Sequence, residues 1–320
     1  MKVLIGPNFM GLEKGIPDLQ TRFPQYEFVY CPDRAKLAEE IADAEIYVGW
    51  MNRDLFLAAK KLRWVQSPST GINYYLDIPE FVASDVLLTS ARGTHAACLA
   101  ESAFAMILAF TREIRRFILA QLEHRWVGRE LRHEMTELTG TTLGIIGFGA
   151  VGRAIAERAK AFGLNILAVD LYPGDKPDYV AELWGVDRLE DLMAQSDYVV
   201  VTVPYTPDTD GMIGAAQIGH MKKNAILVGI SRGKIIDEAA LVDALRNGRL
   251  RGAALDVFAQ EPLPPDSELW DVPNLLITPH AAGGTQYEGR YVLDILTENL
   301  ERFLKGDLPL RNQIDKKRGF

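Results

Sequence analysis

A glycine-rich turn, "GFGAVG" at residues 147–152, is the feature of the sequence that most restricts the fold. It follows the apolar run "TLGII" and precedes the helical run "RAIAERAKAF", after which a second apolar run ends at Asp170. Strand, turn, helix and strand in this order form a βαβ unit, whose two strands lie parallel in one sheet. The chain is therefore predicted to contain a parallel sheet with helices packed on its faces.

The spacing of the glycines is typical of a turn that binds a dinucleotide. Gly147 suits the tight turn, Gly149 lets the backbone approach a pyrophosphate, and Gly152 lets the helix pack closely on the strand. Backbone N–H groups around Ala150 and Val151 would meet the phosphates at the helix N-terminus. Such a turn can also be purely structural, but the complete order of strand, turn, helix, strand and acid favours dinucleotide binding.

Asp170, the acid at the end of the second strand, predicts which dinucleotide is bound. A carboxylate at this position accepts hydrogen bonds from the adenosine ribose hydroxyls and repels a 2′-phosphate. The next residues, Leu171, Tyr172 and Pro173, supply no arginine to neutralise such a phosphate. We therefore expect NAD as the cofactor, with NADH favoured over NADPH.

Two series of alternating strand-like and helix-like runs extend along the chain, as expected of α/β domains. The first series has short β-prone runs at Val3–Ile5, Phe28–Tyr30, Ile46–Gly49, Trp64–Gln66 and Val86–Thr89. The second has near-continuously apolar runs at Leu143–Ile146, Ile166–Val169, Tyr198–Val203, Ile226–Ile230, Ala253–Phe258 and Leu275–Thr278. Such continuous runs are typical of parallel strands that are covered on both faces.

The length of the chain predicts two domains, because 320 residues exceed the usual size of a single core. Between the two series, the segment from Thr94 to Trp126 has apolar residues at intervals of three and four and predicts one long helix that could join the domains. A final helix is predicted over Tyr287–Leu304. The predicted fold class is α/β with two doubly wound parallel-sheet domains.

Composition and charge exclude several classes of protein. The net charge of −8 leaves no basic footprint for nucleic acid or an anionic membrane. Cys31 and Cys98 form no CxxC motif or Cys/His cluster, so we expect no disulfide framework, no metal site and a cytoplasmic location. The apolar run before Pro7 is too short for a signal peptide, and "SAFAMILAF" (residues 102–110) is too short to span a bilayer.

Three polar residues follow apolar runs of the second series, where open α/β sheets bind ligands. Arg232 follows the run that ends at Ile230, Glu261 follows "AALDVFAQ", and His280 follows "LLITP". An arginine there can present its planar fork to a carboxylate. Taken singly, each has a simpler interpretation as a surface arginine, a loop acid or a structural histidine. The other histidines are interpreted as structural: His95, His124, His133 and His220.

Together these features resemble the D-isomer-specific 2-hydroxyacid dehydrogenases over essentially the whole chain. Besides the glycine turn and Asp170, the matching segments are "VPYTPDT", "SRGKIIDEAALVDAL", "GAALDVFAQEPL", "LWDVPNLLITPH" and "NQIDKKRGF". The resemblance implies a Rossmann-type NAD-binding domain, residues 93–285, inserted into a discontinuous flavodoxin-like substrate domain, residues 1–92 and 286–320. It also implies a homodimer packed through the NAD-binding domain, to which the segment from Thr94 to Trp126 would contribute.

The same resemblance implies hydride transfer between NAD(H) and a 2-oxoacid/D-2-hydroxyacid pair. Arg232 would bind the carboxylate and carbonyl of the 2-oxoacid, His280 would be the acid/base, and Glu261 would be its partner. A carboxylate beside an imidazolium stabilises the charged ring, which suits it to donate a proton during reduction. Asp256 matches the position that holds the nicotinamide carboxamide. The remaining implied cofactor-binding residues are Val203, Pro204, Thr209, Ile230, Ser231, Ala282 and Gly283.

The segment "SPSTGINYYL" resembles the loop whose backbone amides bind the substrate carboxylate. This resemblance implies Ser69, Thr70 and Gly71 as substrate-binding residues, and a plain strand-to-helix turn is the alternative. Four large residues nearby either line a pocket for a bulkier substrate or pack in the core: Trp50, Met51, Tyr74 and Tyr75.

Two positions depart from the family pattern. Gly229 stands where an asparagine is frequent, and Asn73 stands where an aspartate is usual. We expect both departures to alter loop geometry without changing the proton and hydride chemistry.

Other functions share this fold and its motifs. A dinucleotide-sensing interaction protein, similar to the transcriptional corepressors of this family, is the alternative from another class, although the chain has no long basic or disordered extension. Among enzymes, formate, phosphite and phosphoglycerate dehydrogenation are alternatives, the last disfavoured because no C-terminal regulatory domain follows. The expected acceptors are glyoxylate, hydroxypyruvate or a larger 2-oxoacid.

Overall fold

The computed structural model describes residues 1–319 and consists of parallel strands that alternate with helices. The strands are β1 Lys2–Ile5, β2 Glu27–Tyr30, β3 Ile46–Val48, β4 Trp64–Gln66, β5 Leu87–Thr89, β6 Thr142–Ile146, β7 Asn165–Val169, β8 Glu182–Trp184, β9 Tyr198–Val201, β10 Ile226–Gly229, β11 Gly252–Leu255 and β12 Leu275–Ile277. The helices are α1 Ile16–Arg22, α2 Leu37–Glu40, α3 Arg53–Ala58, α4 Asn73–Leu76, α5 Pro79–Ala83, α6 Ala96–Thr111, α7 Ile114–Leu122, α8 Gly128–Leu131, α9 Ala150–Ala161, α10 Leu189–Gln195, α11 Ala215–His220, α12 Glu238–Arg246 and α13 Glu288–Lys305.

The chain divides into two compact units. The first unit comprises Met1–His95 and Thr285–Phe320, and the second comprises Ala96–Gly284. The second unit is therefore an insertion within the first, and its boundaries lie within a few residues of positions 93 and 285. Both units are α/β, and the predicted fold class is confirmed.

In the first unit, the described residues form a five-stranded sheet in the order β2-β1-β3-β4-β5, and every pair of neighbouring strands is parallel. This is the flavodoxin-like order. Val3 and Ile5 of β1 are fully buried and share a core with Val292, Leu296 and Leu300 of α13. The apolar face of α13, spaced at three and four residues, therefore completes the core of this unit from the far end of the sequence.

The C-terminal tail is fastened to the first unit by Lys316. Its ammonium donates to the carbonyl oxygens of Phe81, Ser84 and Val86 at 2.9, 2.6 and 2.9 Å. Burial lowers the pKa of Lys316 from its ordinary value. The hydrogen bonds offset part of the cost of burying this charge.

In the second unit, the described residues form a seven-stranded sheet in the order β12-β11-β10-β9-β6-β7-β8, again with parallel neighbours. Within this sheet, β6 is the first strand along the sequence and lies in the interior. The chain proceeds outward from β6 to β8, and then continues on the other side of β6 from β9 to β12. The order reverses between β6 and β9, and this reversal is the switch point at which open α/β sheets bind ligands.

Each strand that the sequence predicts is present in the structure, whereas β8 is an additional strand. Its sequence, Glu-Leu-Trp, is exposed or half-buried and forms an edge of the sheet. A three-residue edge strand carries too few apolar residues to be distinguished from a loop by sequence alone.

The prediction of one long helix from Thr94 to Trp126 is wrong, because the structure divides this segment into α6 and α7. Glu113, between the two helices, has a left-handed backbone with φ of 55°. Its buried carboxylate contacts the guanidinium of Arg251 at 3.0 Å. A tertiary ion pair therefore accompanies the break at a position where the apolar periodicity continues. Among all helices of the described chain, none is both long and apolar enough to cross a membrane.

Candidate active site

The carboxyl edge of the second sheet collects the predicted chemical groups. Strands β10, β11 and β12 are neighbours, and they are followed by Arg232, Glu261 and His280, respectively. Farther along the same edge, β9, β6 and β7 are followed by Val203, the glycine turn and Asp170. Because all strands are parallel, their carboxyl ends lie on one side of the sheet. The edge thus carries the predicted acid/base at one end and the predicted adenosine acid toward the other.

His280 and Glu261 form a close pair. The distance between His280 Nδ1 and Glu261 Oε2 is 2.6 Å, and Glu261 Oε1 accepts the N–H of Phe258 at 2.8 Å. The side chain of His280 is 48% exposed, and within residues 1–319 no hydrogen-bond partner contacts its Nε2. The carboxylate therefore orients the ring through one nitrogen while the other nitrogen remains available to a ligand.

Asp256 holds the backbone around His280. Its carboxylate is almost fully buried and accepts hydrogen bonds from the Thr278 hydroxyl at 2.6 Å and from the N–H groups of Ala281 and Ala282 at 2.9 and 3.0 Å. The N–H of His280 donates to the Asp256 carbonyl at 2.8 Å. The structure thus shows Asp256 as a support of the loop that carries His280, a function that its sequence context does not reveal.

Arg232 lies in a loop that packs tightly against its neighbour. A Cβ at Gly233 would collide with the backbone of Phe258, so the loops after β10 and β11 approach at a point that only glycine permits. Arg232 is half-buried, and its guanidinium donates to the carbonyl of Ser231 at 2.6 Å. The glycine after the arginine therefore brings the arginine loop next to the segment that leads to Glu261.

Gly229 ends β10 in regular register with Val201 and Leu255. A Cβ at this position would lie 2.8 Å from Ile236 Cδ1 and 2.9 Å from Leu255 Cδ2. Apolar side chains therefore fill the space that an asparagine would need. Gly229 continues the regular register of β10, and its effect on the geometry of the loop that follows stays a prediction.

The glycine turn has the geometry that its spacing predicts. Gly147 has φ of 96°, and a Cβ at Gly152 would collide with the Gly147 carbonyl oxygen. A Cβ at Gly149, in contrast, would meet no described atom within 4 Å, and α9 begins at the next residue, Ala150. The first N–H groups of a helix lack intrahelical acceptors and carry its positive end. The open backbone at Gly149 and these groups fit a dinucleotide pyrophosphate.

Asp170 is held against the glycine turn. Its Oδ2 accepts the N–H of Phe148 at 2.6 Å, and its Oδ1 accepts the N–H of Tyr172 at 3.0 Å. The guanidinium of Arg153 lies 4.8 Å from the centroid of the Phe148 ring and donates to the Asp175 carbonyl at 2.8 Å. Arg153, which the sequence analysis overlooks, thus places a cation at the adenosine end of the site.

The other implied cofactor-binding residues lie in three short loops, of which the one after β10 carries Ile230 and Ser231 beside Arg232. The remaining two loops follow β9 and His280. In the loop after β9, Thr209 Oγ1 donates to the Pro204 carbonyl at 2.8 Å and accepts the N–H of Thr206 at the same distance. After His280, the carbonyls of Ala282 and Gly283 accept from side chains of α6, namely Ser102 Oγ at 3.0 Å and Cys98 Sγ at 3.1 Å. Both loops are therefore fixed by side-chain contacts within the second unit.

The predicted substrate loop lies after β4, at the carboxyl edge of the first sheet. The N–H of Ser69 donates to Ser67 Oγ at 3.1 Å, and the N–H of Gly71 donates to Ser69 Oγ at 3.2 Å. Tyr74 Oη lies 3.3 Å from Ser67 Oγ. Among the hydrogen bonds of the described chain, none uses the Thr70 N–H, so this amide is available to an anion.

His95, interpreted from the sequence as structural and without an identified partner, contacts this loop. Its Nδ1 lies 3.0 Å from Thr70 Oγ1 and 2.8 Å from Thr94 Oγ1, and its Nε2 lies 3.2 Å from Glu288 Oε1. The separation of 193 residues between His95 and Glu288 explains why no local pattern predicts the pair.

The four large residues near the loop have different surroundings. Met51 and Tyr75 are buried and pack in the core, and burial raises the pKa of the Tyr75 hydroxyl well above its ordinary value. Trp50 instead stacks on Phe9, with ring centroids 5.5 Å apart, and Phe9 is 78% exposed. Of the predicted pocket residues, Trp50 is therefore the one that joins an exposed aromatic surface at the carboxyl edge of the sheet. Within residues 1–319, no cluster of three or more His, Cys, Asp or Glu side chains could hold a metal ion.

Comparison with known proteins identifies a family and several similar enzymes. Residues 104–282 match the family model described as "D-isomer specific 2-hydroxyacid dehydrogenase, NAD binding domain". The chain is 36% identical over 288 residues to a glyoxylate reductase from Korarchaeum cryptofilum, a match that covers 87% of this chain and 85% of that protein.

Two solved structures are similar over nearly the whole chain. A D-isomer specific 2-hydroxyacid dehydrogenase family protein from Aeromonas salmonicida is 30% identical, with a TM-score of 0.87 and 98% of each chain covered. An NADPH-dependent glyoxylate/hydroxypyruvate reductase from Sinorhizobium meliloti, in complex with NADP and sulfate, is 28% identical, with a TM-score of 0.85 and 100% of each chain covered.

Proposed function

Since the chain belongs to the D-isomer specific 2-hydroxyacid dehydrogenase family, we propose that it reduces a 2-oxoacid with NADH and uses Arg232, Glu261 and His280 to do so. Family membership makes the chain an NAD(P)-dependent oxidoreductase of 2-hydroxyacids. The 2.6 Å contact between His280 and Glu261, at the sheet edge where Arg232 also lies, is the observation that carries the proposal. A corepressor-like interaction protein is not favoured, because the similar proteins named above are enzymes.

In the proposed mechanism, the glycine turn and Asp170 would hold NADH, which when bound would supply the hydride for the keto carbon of the substrate. Glu261 accepts the hydrogen bond from Nδ1 of His280, which fixes the ring and directs its Nε2 toward the substrate. His280 then donates the proton on Nε2 to the developing alkoxide. Arg232 pairs with the substrate carboxylate through two parallel N–H groups, so that the keto group has one orientation.

The first unit would act as the substrate domain, with Ser69, Thr70 and Gly71 binding the substrate carboxylate through their amides. The Thr70 amide is the one that makes no hydrogen bond in the described chain. The amides of Ser69 and Gly71 would exchange their serine hydroxyl partners for the anion. An anion gains charge-assisted hydrogen bonds in this exchange, which favours the substrate over the hydroxyls.

The proposed preference for NADH rests on Asp170. A 2′-phosphate at the end of β7 would meet a carboxylate whose two oxygens are already held by Phe148 and Tyr172. The negative charges of the Asp170 carboxylate and of the phosphate would repel each other. The cationic side chain of Arg153 would instead attract a 2′-phosphate and so favour NADPH. The similar reductase from Sinorhizobium meliloti is NADPH-dependent. The ratio of catalytic efficiencies with the two cofactors tests this preference directly.

The proposed assembly is a homodimer that packs through the second unit. Several apolar side chains along α7 and beyond it are strongly exposed: Ile114, Ile118, Leu119, Leu122 and Trp126, the last at 98%. Contiguous apolar surface of this kind is typical of an interface. Light scattering should give the mass of a dimer for the native chain and of a monomer for Leu122→Asp. Dimers of both proteins would contradict this interface.

The proposed location is the reducing cytoplasm, which fits Cys31 and Cys98 because they form no disulfide in the described chain.

The proposed activity is tested with purified protein, NADH or NADPH, and a panel of 2-oxoacids. The panel contains glyoxylate, hydroxypyruvate, pyruvate and two larger 2-oxoacids, and the loss of reduced-nicotinamide absorbance is followed. We expect turnover with at least one acceptor and a higher kcat/KM with NADH. NADH binding without turnover of any acceptor would overturn the proposed function.

A further inference from the structure

The first unit contains a histidine–carboxylate pair of its own, between His95 and Glu288. The ring of His95 is 12% exposed and the Glu288 side chain 20% exposed, so both are largely shielded from water. Each ring nitrogen faces a protein partner: Nε2 faces Glu288 Oε1 at 3.2 Å, and Nδ1 lies near two threonine hydroxyls. A largely buried pair of this kind is costly unless its polar atoms are hydrogen-bonded, and here both ring nitrogens and Glu288 Oε1 have partners.

The hydroxyls at Nδ1 belong to a small closed network. Thr94 Oγ1 donates to the Ala91 carbonyl at 2.7 Å, and Thr70 Oγ1 lies 3.3 Å from the same oxygen and 3.0 Å from His95 Nδ1. Thr70 is the central residue of the substrate loop, and its amide is the one without an acceptor in the described chain. The network therefore holds the side chain of the residue whose backbone N–H is available to an anion.

We infer that His95 is a positioning residue for substrate binding, which it performs by holding Thr70 of the substrate loop. Glu288, the first residue of α13, orients the His95 ring through Nε2, and Nδ1 holds the Thr70 hydroxyl. Because the side chain of Thr70 is fixed, its backbone N–H keeps one direction. Substrate binding then has to order less of the loop, which lowers its entropic cost. The inference rests on the proposed function, because it assigns a partner to the proposed substrate loop.

Two substitutions of His95 separate this role from a general contribution to folding. An asparagine places its amide near the position of Nδ1, whereas a glutamine places its amide near the position of Nε2. His95→Asn can keep the contact with Thr70, and His95→Gln can keep only the contact with Glu288. We expect His95→Gln to raise the KM for the 2-oxoacid about tenfold at nearly unchanged kcat, and His95→Asn to restore most of the native KM.

The threonine supplies an independent second test. Thr70→Val removes the hydroxyl and should raise the KM as His95→Gln does, while Thr70→Ser should resemble the native enzyme. Combining Thr70→Val with His95→Gln should add little, since both changes break the same contact. His220→Gln is the matched control, because His220 also pairs with a carboxylate, Glu190 at 3.4 Å, but lies in the second unit on α11.

The measurements are steady-state KM and kcat for the best 2-oxoacid, the Kd for NADH, and the melting temperature of each variant. A purely structural role would lower the melting temperature and leave the KM unchanged, and that result would overturn the inference. An unchanged KM in Thr70→Val would overturn it as well, even if the His95 variants did not fold. Failure of the native enzyme to turn over any 2-oxoacid would instead overturn the proposed function, so the two failures are distinguishable.

Discussion

Each unit has one histidine–glutamate pair at or near the carboxyl edge of its sheet, and the two pairs differ in exposure. In the second unit, His280 Nδ1 lies 2.6 Å from Glu261, and the ring is 48% exposed. In the first unit, His95 Nε2 lies 3.2 Å from Glu288, and the ring is 12% exposed. The exposed ring keeps one nitrogen available to a ligand, whereas the shielded ring has protein partners at both nitrogens.

We infer from this difference in exposure that a histidine paired with a glutamate serves a different purpose in each unit. An acid/base must exchange a proton with a ligand, so it needs a nitrogen without a protein partner. A positioning residue must have one fixed orientation, so it needs partners at both nitrogens. We therefore expect substitutions in the first pair to change substrate affinity and substitutions in the second pair to change turnover.

The largest expected effect is that of His280→Ala. Without the proposed proton donor, kcat should fall on the order of a hundredfold or more, while the Kd for NADH stays nearly native. His220→Ala is the control, because His220 is a similarly exposed histidine, 46%, that pairs with Glu190. Unchanged turnover in His280→Ala would remove the distinction between the two pairs.

The next effect concerns the cofactor end of the second unit. Asp170→Ser removes the negative charge that opposes a 2′-phosphate, and Arg153 then favours one. The ratio of kcat/KM with NADH to that with NADPH should fall at least about tenfold. The KM for the 2-oxoacid should stay native, since Asp170 is not among the proposed substrate-binding residues. A ratio equal to that of the native enzyme would show that Asp170 does not select the cofactor.

Glu261→Gln tests the carboxylate of the exposed pair. The amide can still accept the Phe258 N–H, but it replaces the charge-assisted hydrogen bond to His280 with a weaker neutral one that holds the ring less firmly, so kcat should fall about tenfold. Glu238→Gln is the matched control, because Glu238 accepts the Ala259 N–H at 2.6 Å and contacts no histidine in the described chain. Equal losses in both variants would indicate a loop effect rather than an effect on the acid/base.

The smallest expected effect is that of Glu288→Gln in the shielded pair. The new amide oxygen can still accept a hydrogen bond from His95 Nε2, so orientation of the ring is weakened rather than lost. The KM for the 2-oxoacid should rise about threefold to fivefold with kcat unchanged. Glu298→Gln, in the same helix but paired with Arg311 on the surface, should leave both constants native. A fall in kcat with a native KM would contradict the assigned role.

Much of the fold and part of the site could be predicted from the sequence. The strands of both sheets are recognisable because parallel strands covered on both faces need continuous apolar runs. Arg232, Glu261 and His280 could be placed on one edge because each follows such a run directly. Their mutual arrangement additionally required the strand order, in which β10, β11 and β12 are neighbours.

The parts that the sequence did not predict depend on contacts between distant segments. The break at Glu113 accompanies an ion pair with Arg251, and nothing in the local apolar period of the helix indicates it. The close packing of Ile236 and Leu255 around Gly229 has no signal in the local sequence, because both side chains approach it from other segments. Arg153 becomes relevant to the cofactor only because its side chain lies over the Phe148 ring.

The βαβ unit, the glycine turn and the acid at Asp170 can be recognised without a structure, because periodicity and turn geometry are local properties of the chain. The contacts of His95 with Glu288 and Thr70, in contrast, are visible only in the folded protein. Glu288 is 193 residues from His95 along the chain, and folding brings it back through α13 to complete the core of the first unit. Residues so far apart in sequence have no local pattern that predicts their contact, because the contact arises from how α13 packs on the first unit.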